Sequence, residues 1–337
     1  MEALQVIWYI LIGVLLLGYS ILDGFDLGIG TLFPFLAKDE TEKRVLLNSI
    51  GPFWDGNEVW ILTGGGALFA AFPKTYATVF SGFYLALMLV LFALIFRAVS
   101  FEFRAHSESG KSFWEWSFII GSFLPALLYG VALGNVVYGV PMKEIAGNIE
   151  YAGNFFTLLR PYPLLMGLFG LVMFLLQGAT YAALKSEGAL YERARKTVLS
   201  LWWAFLVLGL LTFVVTALLI PGSLSRPLAW IAAIVAWVGW YLVRSYTVKE
   251  KDSAAFYASS LSIVGLWGIV GAIHFPNLVR AINNPALSLT IYNSSSSKLT
   301  LTVMLIIALV GMPIVILYTA YIYKWFKGKV KLEEGGY

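Results

Sequence analysis

The 337-residue sequence has no cysteine, which excludes disulfides, thiolate-held zinc, iron–sulfur clusters and thiol catalysis. Histidine is almost as scarce. His106 and His274 are the two imidazoles of the chain, so any haem or metal held by histidine would have to use them. Charge is the third shortage, because Asp, Glu, Lys and Arg make up 12% of the residues against about one quarter in a soluble domain. With 59% hydrophobic residues a soluble globular fold is excluded, and a net charge of +4 is too small a surplus to mark a nucleic-acid-binding surface.

What the chain has in abundance is apolar runs of about 18 to 25 residues, each long enough to cross a hydrocarbon core as a helix. Nine are read, over about 3–22, 54–72, 78–97, 116–136, 163–184, 199–220, 228–243, 254–275 and 299–323. They predict an all-α, polytopic membrane protein forming a single integral domain over 1–337. The sixth and seventh runs are parted only by residues 221–227, where Pro-Gly-Ser signals a turn. The first residues carry Glu2 as their only charge and lack a basic n-region, so the first helix is expected to be retained. Seventeen of the 23 Lys and Arg fall on one side of the nine spans and six on the other. The positive-inside rule then places the N-terminus outside and the C-terminus, Tyr337, in the cytoplasm. Loops are short; the longest are expected over 27–53 and 137–162. Tryptophans near span ends, such as Trp8, Trp54 and Trp116, fit interfacial belts.

A carboxylate inside a span costs a few kcal/mol and needs a partner or a water-filled path. Such residues cluster here. Asp23 and Asp26 continue the first helix, and Asp55, Asn57 and Glu58 open the second. Each acid pair is spaced i, i+3 and shares a face of a regular helix. Four acids and an amide at one depth are what a proton path from the cytoplasm requires. The competing reading is local: Asp55 caps a helix beside Pro52, and Asp23 and Asp26 are solvated acids at an irregular, glycine-rich helix end. Gly28 and Gly30 make no nucleotide loop, since Phe33 stands where the third glycine belongs. Arg97, after the third run, is read as snorkelling to the interface, with pairing to one of the acids as the alternative. Gln177, Thr180 and Tyr181 are read as interhelical hydrogen-bond formers. His106 and His274 fall on opposite faces of the membrane, so they cannot clamp one haem.

The segments Leu22-Asp-Gly-Phe-Asp-Leu-Gly28, Asn48-Ser-Ile-Gly-Pro-Phe-Trp-Asp-Gly-Asn-Glu-Val-Trp60 and Gly64-Gly-Gly-Ala-Leu-Phe-Ala-Ala71 resemble subunit II of the cytochrome bd quinol oxidases. Shorter blocks, among them Gly121-Ser-Phe123, Gly153-Asn-Phe-Phe156 and Gln177-Gly-Ala-Thr-Tyr181, extend the resemblance over nearly the whole chain. It implies a nine-helix subunit of the prokaryotic cytoplasmic membrane that forms a heterodimer with subunit I. That partner would carry two b-type haems, one d-type haem and the quinol-oxidising loop; no cofactor is expected to be ligated by this chain. The complex would oxidise quinol, reduce dioxygen to water in aerobic respiration, and take its chemical protons from the cytoplasm. Helices one to four, about 3–136, would face subunit I, and helices five to nine span about 163–323. Asp55 and Trp54 would line the proton path, with Asp26 and Glu58 in the same region and Asp23, Asn57 and Arg97 in support. Partners are thus subunit I and membrane lipid, a small single-helix subunit is left open, and nucleic acid is not expected. The alternative reading is a stand-alone proton-coupled secondary transporter, which inverted repeats and broken helices would mark.

Overall fold

The structure, a computed structural model, describes residues 1–107 and 109–332. Its helices are α1 (Glu2–Leu36), α2 (Glu40–Ile50), α3 (Trp54–Ala71), α4 (Pro73–Gly82), α5 (Tyr84–His106), α6 (Lys111–Tyr138), α7 (Pro161–Lys185), α8 (Gly188–Leu219), α9 (Pro227–Val248), α10 (Asp252–His274) and α11 (Lys298–Trp325). Two small antiparallel hairpins join them, β1 (Met142–Ile145) with β2 (Asn148–Tyr151), and β3 (Asn277–Val279) with β4 (Leu289–Thr290). Eight helices, all but α2, α3 and α4, are long and apolar enough to cross a membrane. The 18-residue α3 sits where the second span was expected; its first turns carry Asp55, Asn57 and Glu58 and its middle carries three glycines, which lower its hydropathy.

Two sequence expectations are corrected. The segment 27–53, expected as a loop, is helical over most of its length, because α1 runs on to Leu36 and α2 follows. Glycine there serves packing. A Cβ on Gly28 would stand 2.1 Å from the Phe174 carbonyl oxygen, and one on Gly178 would stand 2.6 Å from Gly28. The missing side chains let α1 and α7 touch backbone to backbone, the contact that dispersion rewards where lipid offers no hydrophobic drive. The third run is likewise broken, with α4 ending at Gly82 and α5 starting at Tyr84. Residues 137–162 hold the β1–β2 hairpin. The turn over 221–226 is where it was expected, with Gly222 at φ +75°.

Hydrogen bonds sort the element ends into two faces. On one, Lys43 pairs with Glu115 at 2.8 Å, Arg193 pairs with Glu42, and the Val330 amide donates to the Lys185 carbonyl at 2.9 Å. On the other, the Val140 amide donates to the Arg280 carbonyl at 2.9 Å, the Ser296 amide to the Ala71 carbonyl at 2.8 Å, and Gln5 to Ser295 at 2.7 Å. The helix α3 therefore runs from the first face to the second, and Gln5 and Val330 lie on opposite faces. Tyr337 lies outside the described residues.

Candidate functional site

Because α1 stays regular through Asp23 and Asp26, both carboxyls point into the bundle and are fully buried. The solvated-acid reading is therefore overturned. So is snorkelling for Arg97, whose side chain is fully buried between α1 and α3. Its Nη1 donates to Glu58 Oε1, and its Nη2 lies 3.5 Å from Asp23 Oδ1. The reason is again a glycine: a Cβ on Gly121 would meet the Ala93 carbonyl at 2.6 Å and Arg97 Cβ at 2.8 Å. That close approach of α6 leaves the guanidinium no lipid-facing route out and turns it toward the acids. The Arg97 guanidinium also lies 6.0 Å from the Trp54 ring centroid, and Trp54 is stacked on Phe101 at 5.3 Å.

Asp26 is held by an amide. Asn57 Nδ2 donates to Asp26 Oδ2 at 2.7 Å, and Tyr323 at the end of α11 donates its hydroxyl to Asn57 Oδ1 at 3.0 Å. Phe53 stacks on Tyr323 at 4.3 Å, and the Lys185 ammonium donates to the Phe326 carbonyl at 2.6 Å. Asp23 Oδ2, Asp26 Oδ1 and Arg97 Nε have no hydrogen-bond partner among the described residues. Three carboxyls thus face one guanidinium, with acceptor positions left open for water or protons. Such a cluster holds groups that can take up and release a proton.

Asp55 stands apart from this cluster. It is exposed in the first turn of α3, whose N-cap is Phe53, and no side chain caps that helix. It begins an exposed stripe continued by Val59, Leu62 and Phe69. The structure therefore brings together Asp23, Asp26, Asn57, Glu58 and Arg97, sets Trp54 against them, and leaves Asp55 one turn away on an uncovered face. Sequence reasoning missed Tyr323, which ends a long apolar run like any interfacial tyrosine and offers no spacing signal toward Asn57.

His106 ends α5 in an exposed position, its Nδ1 2.9 Å from the Glu102 carbonyl oxygen, and His274 is buried at the end of α10. Neither lines the cavity of about 370 Å³ in the bundle, and the described residues contain no group of three or more His, Cys, Asp or Glu able to hold a metal ion.

The family model described as cytochrome bd terminal oxidase subunit II matches residues 4–326. The chain is 38% identical to the cytochrome bd-I ubiquinol oxidase subunit 2 of Escherichia coli strain K12, over 99% of this chain and 97% of that protein. It is 34% identical to the cytochrome bd ubiquinol oxidase subunit 2 of Bacillus subtilis strain 168, over 99% of each. A chain in the structure of bd oxidase from Geobacillus thermodenitrificans matches with a TM-score of 0.80 at 17% identity, covering 96% of this chain and 98% of that one, a likeness of fold.

Proposed function

The chain belongs to the cytochrome bd terminal oxidase subunit II family and is a multi-pass protein of the plasma membrane; on that premise we propose that it carries cytoplasmic protons toward the oxygen-reducing site of a haem-bearing subunit I. The complex oxidises quinol and reduces dioxygen to water, with two b-type haems and one d-type haem in subunit I. This chain contributes residues that hold and move protons and a surface on which subunit I assembles. The face carrying Glu115, Arg193 and Lys185 is cytoplasmic, as the Lys and Arg surplus there requires, so that nine crossings lead from an N-terminus outside to a C-terminus in the cytoplasm.

The observation that carries this reading is the buried cluster of Asp23, Asp26, Glu58 and Arg97 beside an exposed acid one helical turn away. Buried carboxyls that outnumber their cation are costly to keep and serve stability poorly. Asp55 opens the uncovered stripe of α3, and α5, tied to α3 by Arg97 and Glu58, leaves Leu89, Phe92 and Phe96 exposed as well. A subunit docked on α3 and α5 within 3–136 would cover Asp55 and place it at the boundary between subunits, where a proton passes on. Glu58 and Asp26 shape the water-filled inlet, with Arg97, Asp23 and Asn57 fixing their positions and Trp54 bracing the helix. A stand-alone transporter is not favoured for a member of an oxidase family.

Asp55→Asn tests the role. The amide keeps the size of the carboxylate but cannot relay a proton, so the complex should assemble with full haem content while quinol-driven oxygen consumption falls at least about tenfold, a floor below the roughly hundredfold low end for a lost acid–base group. Normal turnover in an assembled variant would remove Asp55 from the path.

A further inference from the structure

The helices α8 and α9 meet at two places and part between them. At one end they are tied by a reciprocal pair, Trp202 Nε1 donating to the Trp240 carbonyl at 2.8 Å and Trp240 Nε1 to the Trp202 carbonyl at 3.1 Å, with the rings stacked 3.9 Å apart. At the other end the turn over 220–226 joins them. The helix α9 cannot close the gap, because it is locked onto α10: a Cβ on Gly265 would meet the Ala236 amide nitrogen at 2.2 Å, and one on Gly239 the Ser262 amide nitrogen at 2.5 Å. What remains is the apolar cavity of about 370 Å³, walled by Phe169, Phe205, Trp237 and Leu266.

Two hydroxyls in this apolar wall are unusual. Ser20, Thr31, Thr197 and Thr247 donate to the carbonyl four residues earlier, the ordinary fate of a helical hydroxyl in an apolar bundle. Thr212, in the middle of α8, does not; its Oγ1 and the Oγ of Ser223 have no partner among the described residues, although both residues are more than nine-tenths buried and both line the cavity. A buried hydroxyl without a partner costs free energy that a ligand acceptor would recover.

We propose that this groove holds one acyl chain of an anionic phospholipid, whose ester carbonyl accepts from Ser223 at the mouth and whose phosphate lies beside Arg226. Length selects the occupant. The lining runs along α8 from Phe205 to Ala217, about 18 Å at the helical rise, close to one leaflet of a hydrocarbon core about 30 Å thick. One end of the groove is the membrane surface at the 220–226 turn and the other is the closed Trp202–Trp240 pair, so a chain longer than one leaflet has no exit. Charge selects the headgroup. Arg226 is exposed at the N-terminus of α9, contacts the Phe275 carbonyl at 3.5 Å and forms no ion pair among the described residues, while the exposed Trp230 ring edges the mouth with its Nε1 on the Leu224 carbonyl at 2.9 Å. A guanidinium and an interfacial indole are a phosphate and headgroup environment.

The test is native mass spectrometry of the purified oxidase complex after exchange into chain-deuterated phosphatidylglycerol and washing in lipid-free detergent. The natural complex should retain one deuterated lipid. Ala233→Trp, which fills the groove from α9, should lower retention at least about tenfold, and Ser223→Ala, which removes the hydroxyl at the mouth, about fivefold, the worth of one hydrogen bond. Chain-deuterated phosphatidylcholine should be retained less well than phosphatidylglycerol, and Arg226→Gln should erase that difference. Equal retention in the natural complex and in Ser223→Ala and Ala233→Trp, no retained lipid at all, or an isoprenoid quinone in its place would each overturn the proposal.

Discussion

Arg97 is a residue whose loss the bundle should tolerate poorly. It is the cation facing Asp23 and Glu58, and all of its charge is out of water. Removing one partner of a buried pair leaves an uncompensated charge and costs about 3–5 kcal/mol. Arg97→Gln should therefore lower the haem-loaded complex recovered from membranes, and adding Asp23→Asn and Glu58→Gln should restore assembly without restoring oxygen consumption. Recovery of Arg97→Gln at the natural level would show that the acids are neutralised some other way. Tyr323 works more gently. Tyr323→Phe withdraws the donor from Asn57 Oδ1 and leaves a buried amide oxygen unmade, a cost of about 1–3 kcal/mol, which should appear as a lower thermal midpoint of the detergent-solubilised complex with haem spectra unchanged.

At the scale of elements, glycine decides which helices touch. Where the backbones of α1 and α7 meet at Gly28 and Gly178, one added methyl has no space to enter. Gly178→Ala should force the pair apart and destabilise the subunit by about 1–3 kcal/mol, the usual cost of overpacking. Gly13, on the same α1, has nothing within 4 Å of an added Cβ, and Gly13→Ala should leave the thermal midpoint within about a degree of the natural protein or raise it slightly, since alanine favours helix. An equal loss in both variants would mean that helix content and not contact is what these positions supply. The helix α11 is the contrary case: Leu301 is its one buried residue among those described, and it is fastened mainly at its ends, by Trp8 Nε1 on the Leu301 carbonyl at 3.0 Å and by Tyr323 on Asn57. Its long exposed middle is a surface for lipid or another chain, while its last turn belongs to the acid cluster.

For the whole molecule the testable property is sidedness. The natural absence of cysteine makes the chain its own blank. Ser186 is buried with its hydroxyl on the Ala182 carbonyl, so the reporter belongs on its exposed neighbour: Glu187→Cys should react from the cytoplasm and Asn284→Cys from outside, and the reverse pattern would invert the proposed orientation. Much of the large-scale architecture was legible beforehand. Apolar run length is a local property, so the multi-pass helical class, the turn over 221–226 and the gathering of Lys and Arg on alternate loops could be read without any contact being known. The acid-bearing stretches of α1 and α3 could be read as well, because a carboxylate next to an apolar run stands out by composition alone. Contacts between distant segments could not. Whether Arg97 snorkels or pairs depends on Gly121 bringing α6 against it. Whether Asp26 meets a partner depends on Asn57 and on Tyr323, almost the whole chain away. The sequence by itself determined that this chain crosses a membrane and carries acids it could ill afford to bury; only the tertiary structure decided which acids share one cation and which one, Asp55, is left on an open face, because helix periodicity lists the neighbours along a helix while glycine-permitted close approach chooses the neighbours across it.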